Sequence, residues 1–397
     1  MSMRKTLALL CLTLGLVLES SSQVTFAKTP LRSVTQNKLN APCCQTDNAL
    51  GLDDQLWGRM NQPGDREALL TSIDHSLRYL QTAAAREAYQ RYAVSGITRD
   101  RVIRSLERFR QLVVFSRSAE ELQAAVKREF VFYQSVGKDG KGTVIFTAYY
   151  EPIYTASRTP TDEYRYPLYR LPPDFKNWRK PHPTRTQLEG ENGLKASQGR
   201  LRGLELVWLR DRMEAFLVQI QGSARLNLTD GTQMTVGYAG KTDYPYTSIG
   251  QELAKDGKLP RSGITLPVLL QYFSQNPYEL NNYLPRNRGF VFFQETYGSP
   301  AMGSILVPVT PERSIATDKS LMPPGALALV QMRLPFPNGA GQMEQRLVNR
   351  YVLDQDTGGA IKGPGRVDYY MGTGKLAGDR AGVTGGAGQL YYLLLKE

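Results

Sequence analysis

Residues 356–369 read DTGGAIKGPGRVDY, which places Asp356 and Asp368 twelve residues apart with four glycines between them. A third aspartate, Asp318, lies upstream in the segment ATDKS. Glycine and aspartate are both unfavourable inside strands, and aspartate supports turns by bonding its own backbone. The segment therefore fits turns of a β-rich fold. It fits equally well a carboxylate held against closely packed backbone.

The hydrophobic pattern outside this segment predicts a mainly β fold with an N-terminal helical part. From Gly64 to Tyr133 the apolar residues recur at helical spacing, and short helices are predicted at 249–255 and 267–273. The dipeptide Asp230-Gly231 predicts a hairpin turn. Apolar or alternating runs predict strands at 144–150, 204–209, 215–228, 232–238, 290–293, 305–309, 326–331, 346–353 and 389–395.

Length and charge narrow the class of protein. A chain of 397 residues favours two domains, or one domain with a large insertion. A formal net charge of +12 favours an acidic partner such as nucleic acid, an anionic membrane or an acidic polymer. The sequence has no RRM, zinc-finger or basic-helix signature, so the net charge is the only feature that favours binding to nucleic acid. We therefore predict no nucleic-acid partner.

The N-terminus has the pattern of an export signal. Arg4 and Lys5 precede an apolar run over 7–18, and small residues follow, which predicts a signal peptide over 1–27. The alternative is an uncleaved anchor, for which the run is short. Cys11 lies inside the run, too early for a lipid-modified cysteine. The polar residues 28–60 are predicted to be a linker.

The segment 155–200 is polar and proline-rich, with aromatic residues between basic ones. Tyr164, Tyr166, Tyr169 and Trp178 are its main aromatic residues. Such side chains stack on sugars or bases, or they cover the edge of a barrel. The sequence leaves both interpretations open.

Metal and cofactor chemistry find little support, so carboxylates are the remaining candidates. The chain has two histidines, His75 and His182, in unlike contexts, and no CxxC, P-loop or dinucleotide fingerprint. We predict neither a metal nor a cofactor. Asp368 precedes two tyrosines, and a carboxyl group in partly apolar surroundings can act as a general acid. Hydrolysis of a glycoside usually adds a second carboxylate, for which Asp356 or Asp318 is available.

Several motifs in order resemble one known family. Asp318 in ATD, DTGGAIKG at 356–363 and VDY at 367–369 resemble the three-aspartate 3D domain. Upstream, the sequence is similar to the membrane-bound lytic murein transglycosylase A family in FTAYYEP (146–152), VQIQGS (218–223), YAGKT (238–242), YTSIG (246–250), 287–293 and AGDRAG (377–382). The match runs from about residue 60 to the end of the chain.

The resemblance implies a fold of two barrels. A double-psi β-barrel would be formed by 61–154 together with 289–397, including the helical segment. A second β-barrel domain would be inserted at 155–288. The substrate groove would lie between them, a common location for ligands.

The resemblance also implies a reaction and site residues. The family cleaves the β-1,4 bond between N-acetylmuramic acid and N-acetylglucosamine without water and leaves a 1,6-anhydro product. Asp368 would act as general acid and then base, Asp356 would orient the site, and Asp318 would secure a barrel turn. Lys362 would set local charge. The expected glycan contacts are Tyr149, Tyr150, Gln221, Gly222 and Ser223.

The implied partner is the glycan strand of peptidoglycan, bound by an exported monomer. Association with the outer membrane and with other cell-wall enzymes is a further expectation. Two departures stand out: Ala224 occupies a position where the family commonly has glycine, and the expected lipid-anchor cysteine is missing. Two alternatives remain, a secreted barrel that binds cell-wall glycan without cleaving it, and a hydrolase that uses two carboxylates.

Overall fold

The computed structural model describes residues 29–34, 50–58 and 63–397. The signal peptide predicted at 1–27 lies outside these residues, as do all three cysteines. Within the described ranges, no helix combines the length and apolar character needed to cross a membrane.

Helices cover one side of the first sheet, as the N-terminal pattern predicts, but residues 130–133 of the segment predicted as helical belong to a strand. They are α1 (Arg66–Leu80), α2 (Ala83–Gln90), α3 (Arg99–Phe115) and α4 (Ala119–Glu129). In α3 the buried residues Val102, Leu106, Phe109 and Val113 fall on one face at helical spacing. They belong to the same core as the strands beneath, so tertiary packing holds this helix in place.

The first sheet contains strands from both ends of the chain. Its members are β1 (Leu31–Val34), β2 (Phe130–Ser135), β3 (Val144–Glu151), β10 (Ser314–Ala316), β11 (Leu327–Pro337), β12 (Met343–Asp356), β13 (Arg366–Thr373) and β14 (Gly385–Leu395). The order is β1-β2-β14-β11-β12-β10-β13-β3, and β14 also pairs with β3. This additional pairing closes six of the strands into a ring. Helix α10 (Lys375–Val383) connects the last two strands.

The middle of the chain forms a second sheet. Its strands are β4 (Ile153–Ser157), β5 (Tyr166–Tyr169), β6 (Glu205–Leu209), β7 (Ser223–Leu228), β8 (Gln233–Lys241) and β9 (Val291–Glu295), in the order β5-β6-β4-β7-β8-β9. A bridge between Arg170 and Phe293 joins its two edges and closes the barrel. The accompanying helices are α5 (Arg185–Glu189), α6 (Arg212–Gln221), α7 (Ile249–Lys255), α8 (Leu266–Gln275) and α9 (Leu280–Tyr283).

One predicted strand is half wrong and another is absent. Of the strand predicted at 215–228, residues 215–221 belong to helix α6 and only 223–228 form a strand, β7. This helix is buried on two sides, with Val218 in one apolar cluster and Phe216 in another, which hides its helical period. No strand forms at 305–309, where the chain makes a tight turn in which the Leu306 N–H donates to the Gly303 carbonyl at 2.9 Å.

The linker predicted at 28–60 is wrong where the structure describes it. Strand β1 pairs antiparallel with β2. The fully buried Asp53 forms ion pairs with Arg313 and Arg350 and accepts a hydrogen bond from the Tyr351 N–H at 2.9 Å. The polar composition of this region therefore includes charges that are neutralised inside the fold, which composition alone does not reveal.

The two sheets meet where β3 runs into β4 at Pro152. Glu151, the last residue of β3, is buried and accepts hydrogen bonds from Arg225 Nε of β7 and Thr373 Oγ1 of β13, each at 2.8 Å. One carboxylate thus ties both sheets together beside their covalent connection.

The aromatic residues of 155–200 are largely structural. Tyr164, Tyr169 and Trp178 are each less than 7 % exposed. Trp178 packs against Phe292 at a ring-centroid distance of 6.0 Å. For these three side chains the structure supports the covering interpretation rather than stacking on sugars.

Candidate active site

Asp368 lies inside a strand, so the turn interpretation is wrong for this residue. In the parallel pair β3–β13 it lies opposite Thr147, and Tyr370 lies opposite Tyr149. The preceding pair, Val367 and Phe146, is buried in the core. Because side chains alternate across a strand, Asp368 and Thr147 project together from the outer face of the ring.

Asp368 is half-buried and bonded through one oxygen. Its Oδ1 accepts a hydrogen bond from Thr147 Oγ1 at 2.7 Å, and Thr147 Oγ1 accepts one from Arg366 Nη2 at 2.9 Å. Burial raises the pKa of Asp368 to about 6, with the Thr147 hydrogen bond and the Arg366 charge opposing the rise and Asp356 adding to it. A carboxyl group with such a pKa can both give and take a proton near neutral pH.

Asp356 ends β12 and is held by three donors. Its Oδ1 accepts from the N–H groups of Ser304 and Thr357 at 2.9 and 2.8 Å, and its Oδ2 accepts from Tyr149 Oη at 2.8 Å. Burial raises the pKa of Asp356, against the Tyr149 hydrogen bond, which is the largest opposing effect.

The two aspartates are neighbours through the intervening strand β10. Ala316 pairs with Asp356 on one side and with Asp368 on the other. Their backbones are therefore about 10 Å apart, two strand spacings. At this separation the Asp356 charge still raises the pKa of Asp368.

Tyr149 and Tyr150 point in opposite directions because they are adjacent in β3. The Tyr149 ring packs on Tyr370 at 5.0 Å and burial raises its pKa, so its hydroxyl remains a donor to Asp356. The Tyr150 ring is buried against Gly378, where any Cβ would lie 2.7 Å from a ring carbon. This burial argues against the predicted glycan contact by the Tyr150 side chain.

The predicted QGS motif lies at the junction of the two sheets. Gln221 is the last residue of α6, and its Oε1 accepts a hydrogen bond from the Tyr150 N–H at 3.0 Å. Gly222 ends the helix with φ +85°, a conformation that glycine adopts without strain. Ser223 then begins β7 and is half-buried. Only Gln221 of these three has a side chain that reaches across to the first sheet.

Asp318 and Lys362 lie in two loops, one after β10 and one between β12 and β13. Asp318 accepts hydrogen bonds from the N–H groups of Ser320 and Gly363 at 3.1 and 2.8 Å. Burial would raise the pKa of Asp318, but these bonds and the Lys362 charge hold it below its ordinary value. The Lys362 charge thus acts on Asp318.

Metal ligation finds no geometric support in the part of the chain that the structure describes. Among those residues, no group of three or more His, Cys, Asp or Glu side chains is placed to hold an ion.

Comparison with known proteins identifies the family. Residues 145–294 match the model of the MltA specific insert domain, and residues 313–394 match the 3D domain. The chain is 33 % identical over 265 residues to membrane-bound lytic murein transglycosylase A of Escherichia coli K12, covering 66 % of this chain and 68 % of that protein. The chain belongs to the membrane-bound lytic murein transglycosylase A family. A homologue from Buchnera aphidicola is likewise 33 % identical over 264 residues, covering 66 % of this chain and 69 % of the homologue.

Solved structures from the lytic murein transglycosylase A family share the fold. The enzyme from Agrobacterium tumefaciens aligns with a TM-score of 0.66 at 28 % identity, over 83 % of this chain and 93 % of that one. The E. coli MltA structure with bound chitohexaose also aligns with a TM-score of 0.66, at 25 % identity, over 87 % of this chain and 96 % of that one.

Sequence reasoning missed three residues that contact or face Asp356 and Asp368 in this family member. Thr147 and Arg366 contact the Asp368 network, and the Ser304 N–H donates to Asp356. Alternation within the strands was a usable signal for the first two. Thr147 lies two residues from Tyr149, and Arg366 lies two residues from Asp368. Ser304 acts through its backbone, which its sequence context does not reveal.

Proposed function

We propose that this chain is a lytic transglycosylase of peptidoglycan. It cleaves the β-1,4 bond between N-acetylmuramic acid and N-acetylglucosamine without water and leaves 1,6-anhydromuramic acid ends. The names of its relatives support the substrate class. The observation that carries the proposal is the half-buried Asp368, whose pKa is raised to about 6 on the outward face of the ring.

Asp368 would perform both proton transfers. Its protonated carboxyl group donates to the glycosidic oxygen, the bond from the muramic acid anomeric carbon to that oxygen breaks, and the N-acetylglucosamine end leaves with a hydroxyl group. The 6-hydroxyl of the same muramic acid then bonds to the anomeric carbon, and its proton returns to Asp368. A carboxyl group with a pKa near 6 suits both steps because neither protonation state is strongly disfavoured.

The bonding of Asp356 favours this mechanism over two-carboxylate hydrolysis. A hydrolase needs its second carboxylate free to attack the sugar or to activate water. Both oxygens of Asp356 already accept hydrogen bonds, two from backbone N–H groups and one from Tyr149. We assign Asp356 a supporting role, in which it holds Tyr149 and raises the pKa of Asp368.

We infer glycan contacts from the neighbours of Asp368. Gln221, Gly222 and Ser223 lie at the junction between the sheets, and Tyr149 lies on the same face as Asp368. The E. coli structure with bound chitohexaose supports glycan binding by this fold. The basic surplus of this chain suits a polymer that carries carboxylates.

We further propose that the first ring is the double-psi barrel, formed by segments on both sides of an inserted barrel domain. The strands of the inserted barrel run from β4 to β9, so this domain spans about 153–295 rather than the predicted 155–288. The parallel pairs β3–β13 and β10–β12 in an otherwise antiparallel ring support this assignment. Asp318 secures a turn of this barrel through its bonds to Ser320 and Gly363. We place the protein in the cell envelope as an exported enzyme, in keeping with its membrane-bound relatives.

The test uses purified sacculi and mass spectrometry of the released muropeptides. We expect anhydro-ended products from the natural protein and none from Asp368→Asn, with both proteins equally folded by circular dichroism. Products one water heavier would show that the protein is a hydrolase and not a transglycosylase. Unchanged sacculi that nevertheless bind the protein tightly would make it a glycan-binding module. Equal cleavage by Asp368→Asn would remove Asp368 from the mechanism.

A further inference from the structure

Arg366, Thr147 and Asp368 form a chain of contacts on the outer face of the ring. Arg366 and Asp368 are two residues apart in β13 and share that face, and Thr147 lies directly opposite Asp368 in β3. Arg366 Nη2 is 2.9 Å from Thr147 Oγ1, which is 2.7 Å from Asp368 Oδ1. The strand register therefore places a guanidinium one hydroxyl away from the proposed acid.

The direction of these hydrogen bonds follows from the donors available. A guanidinium group only donates, so Thr147 Oγ1 must accept from Arg366. The hydroxyl has one proton, and this proton points to Asp368 Oδ1, the acceptor that Thr147 Oγ1 contacts among the described residues. Oδ1 is then an acceptor whether Asp368 is ionised or protonated. The exchangeable proton must be on Oδ2, which has no hydrogen-bond partner among the residues that the structure describes.

Other titratable groups face Asp368, and none duplicates this contact. Asp356 approaches from β12 and raises the pKa of Asp368. The hydroxyl of Tyr149 in β3 donates its hydrogen bond to Asp356 instead. Tyr246, in the segment before α7, is close enough for the charges of Arg366 and Asp368 to affect its pKa, which burial raises. Arg366 is thus the cation whose charge acts directly on Asp368.

We propose that Arg366 is a positioning residue that fixes the Thr147 hydroxyl as a donor to Oδ1 of Asp368 and so confines proton transfer to Oδ2. The effect on glycan cleavage rests on the function proposed above; the effect on the carboxyl group does not. Without Arg366 the Thr147 hydroxyl can turn and accept a proton from Oδ1. Part of the protonated enzyme then has its acid proton on the oxygen that faces away from the substrate.

Loss of Arg366 has a kinetic signature that a purely structural role would lack. The maximal rate falls because part of the acid is misdirected. The alkaline limb of the pH profile moves upward, because removal of a nearby cation raises the pKa of Asp368. A variant whose plateau rate is lower but whose activity persists to higher pH would show a positioning role rather than general damage to the fold.

The experiment compares Arg366→Met, Arg366→Lys, Thr147→Val and the Arg366→Met/Thr147→Val double variant. We expect Arg366→Met and Thr147→Val each to lower kcat by roughly tenfold with little change in KM. Arg366→Lys, which keeps a donor and a charge, should recover part of the loss. At the plateau of its pH profile the double variant should be no slower than Thr147→Val alone, because the positioning acts through Thr147, while the effect of the lost charge on the pKa of Asp368 should remain. Independent, multiplying losses, or a raised KM with unchanged kcat, would overturn the proposal.

A second readout does not depend on activity. The ¹³C NMR titration of the Asp368 carboxyl carbon should show a higher pKa in Arg366→Met than in the natural protein, and an unchanged pKa would overturn the proposal. Arg202→Met is the matched control, since it removes an exposed arginine of the second sheet region and should change neither readout. If the natural protein fails to cleave glycan while the titration shifts as expected, the proposed function fails and the effect of Arg366 on the Asp368 carboxyl group stands.

Discussion

The Tyr149 hydroxyl donates a hydrogen bond of 2.8 Å to Asp356 and so connects β3 to the end of β12. Ala316 of β10 pairs with both Asp356 and Asp368, so this bond spans β13 as well as β10, the strand between the two aspartates. It also keeps Tyr149 from donating to Asp368. The arrangement gives each aspartate its own hydroxyl donor, Tyr149 for one and Thr147 for the other.

The first prediction concerns this bond. Tyr149→Phe keeps the ring contact with Tyr370 but removes a donor to a buried carboxylate, which raises the pKa of Asp356. We expect the free energy of unfolding at pH 7 to fall by about 1–3 kcal/mol, measured by urea denaturation. The cleavage rate should fall by roughly tenfold, because the side chain at 149 is then no longer fixed by Asp356 on the face that carries Asp368. Tyr297→Phe, at a tyrosine that is 86 % exposed, is the control and should change neither quantity. Equal effects of the two substitutions would contradict a role for the Tyr149 hydroxyl.

The second prediction concerns the stability cost of Asp368. Its pKa is about 6 in the folded protein and near 4 in an unfolded chain, so the folded state binds the proton more tightly. The ionised Asp368 therefore lowers the free energy of unfolding. This penalty is absent below about pH 4, grows between about pH 4 and 6, and is constant above that. Asp368→Asn removes the penalty. We expect it to raise the free energy of unfolding by about 1–3 kcal/mol at pH 8 and to give almost no gain at pH 4.

Thermal melts of both proteins across this pH range would check the Asp368 prediction. The gain should appear between pH 4 and 6 and level off above that. A gain that is constant with pH would show that the asparagine stabilises by some means other than removal of the charge. The control is Asp230→Asn, because the pKa of the exposed Asp230 is lowered, chiefly by its hydrogen bond with Thr232. That substitution should lower stability by an amount that does not change across this range, because the contribution of Asp230 is lost only below about pH 4.

Prediction from sequence succeeded where one face of an element is buried and failed where two are. Helix α3 has one apolar face, and β3 is formed by a short apolar run. Both were predicted. Helix α6 packs into two apolar clusters and was predicted as a strand. Asp368 was assigned to a turn or to a site because its own neighbours in sequence include glycines. The parallel pairing with β3 that makes it a strand residue involves a partner 221 positions away.

The candidate site was predictable in its residue types and not in its connections. The motifs identify Asp356 and Asp368, but their relation through Ala316 depends on strand β10, which no local pattern predicts because it is three residues long. Tyr150 was paired with Tyr149 as a glycan contact, although adjacent strand residues face opposite ways. The Ser304 contribution comes from a backbone N–H, and side-chain chemistry does not report such groups.

The third prediction concerns the junction of the two sheets. Glu151 is buried, whereas its partner Arg225 is 42 % exposed, so the two members of the pair are not equivalent. Arg225→Met leaves a buried carboxylate with only the Thr373 hydroxyl, and we expect a loss of about 2–4 kcal/mol in the free energy of unfolding. Glu151→Gln leaves an arginine that water can solvate and should cost less.

Arg158 provides a matched control for that junction. Its pair with Asp230 is also an arginine–carboxylate contact of the second sheet, at 3.0 Å, but both side chains are nearly half exposed. Arg158→Met should therefore cost much less stability than Arg225→Met. Chemical denaturation followed by tryptophan fluorescence would rank the three variants. If Arg158→Met were as damaging as Arg225→Met, burial of the acid would not be the source of the difference.

The fourth prediction concerns the N-terminal segment 50–58. Asp53 is fully buried between Arg313 and Arg350, which are also buried, so Asp53→Asn leaves two guanidinium groups short of a counter-charge. We expect a loss of about 3–5 kcal/mol in the free energy of unfolding. Asp74→Asn, which breaks a half-exposed pair with Arg110, should cost less than about 1 kcal/mol. Removal of residues 1–58 should match or exceed the Asp53→Asn loss, because it takes away the same carboxylate and its buried neighbour Leu56. A shortened chain as stable as the full one would show that this segment only rests on the barrel, and that Arg313 is neutralised sufficiently by Asp65.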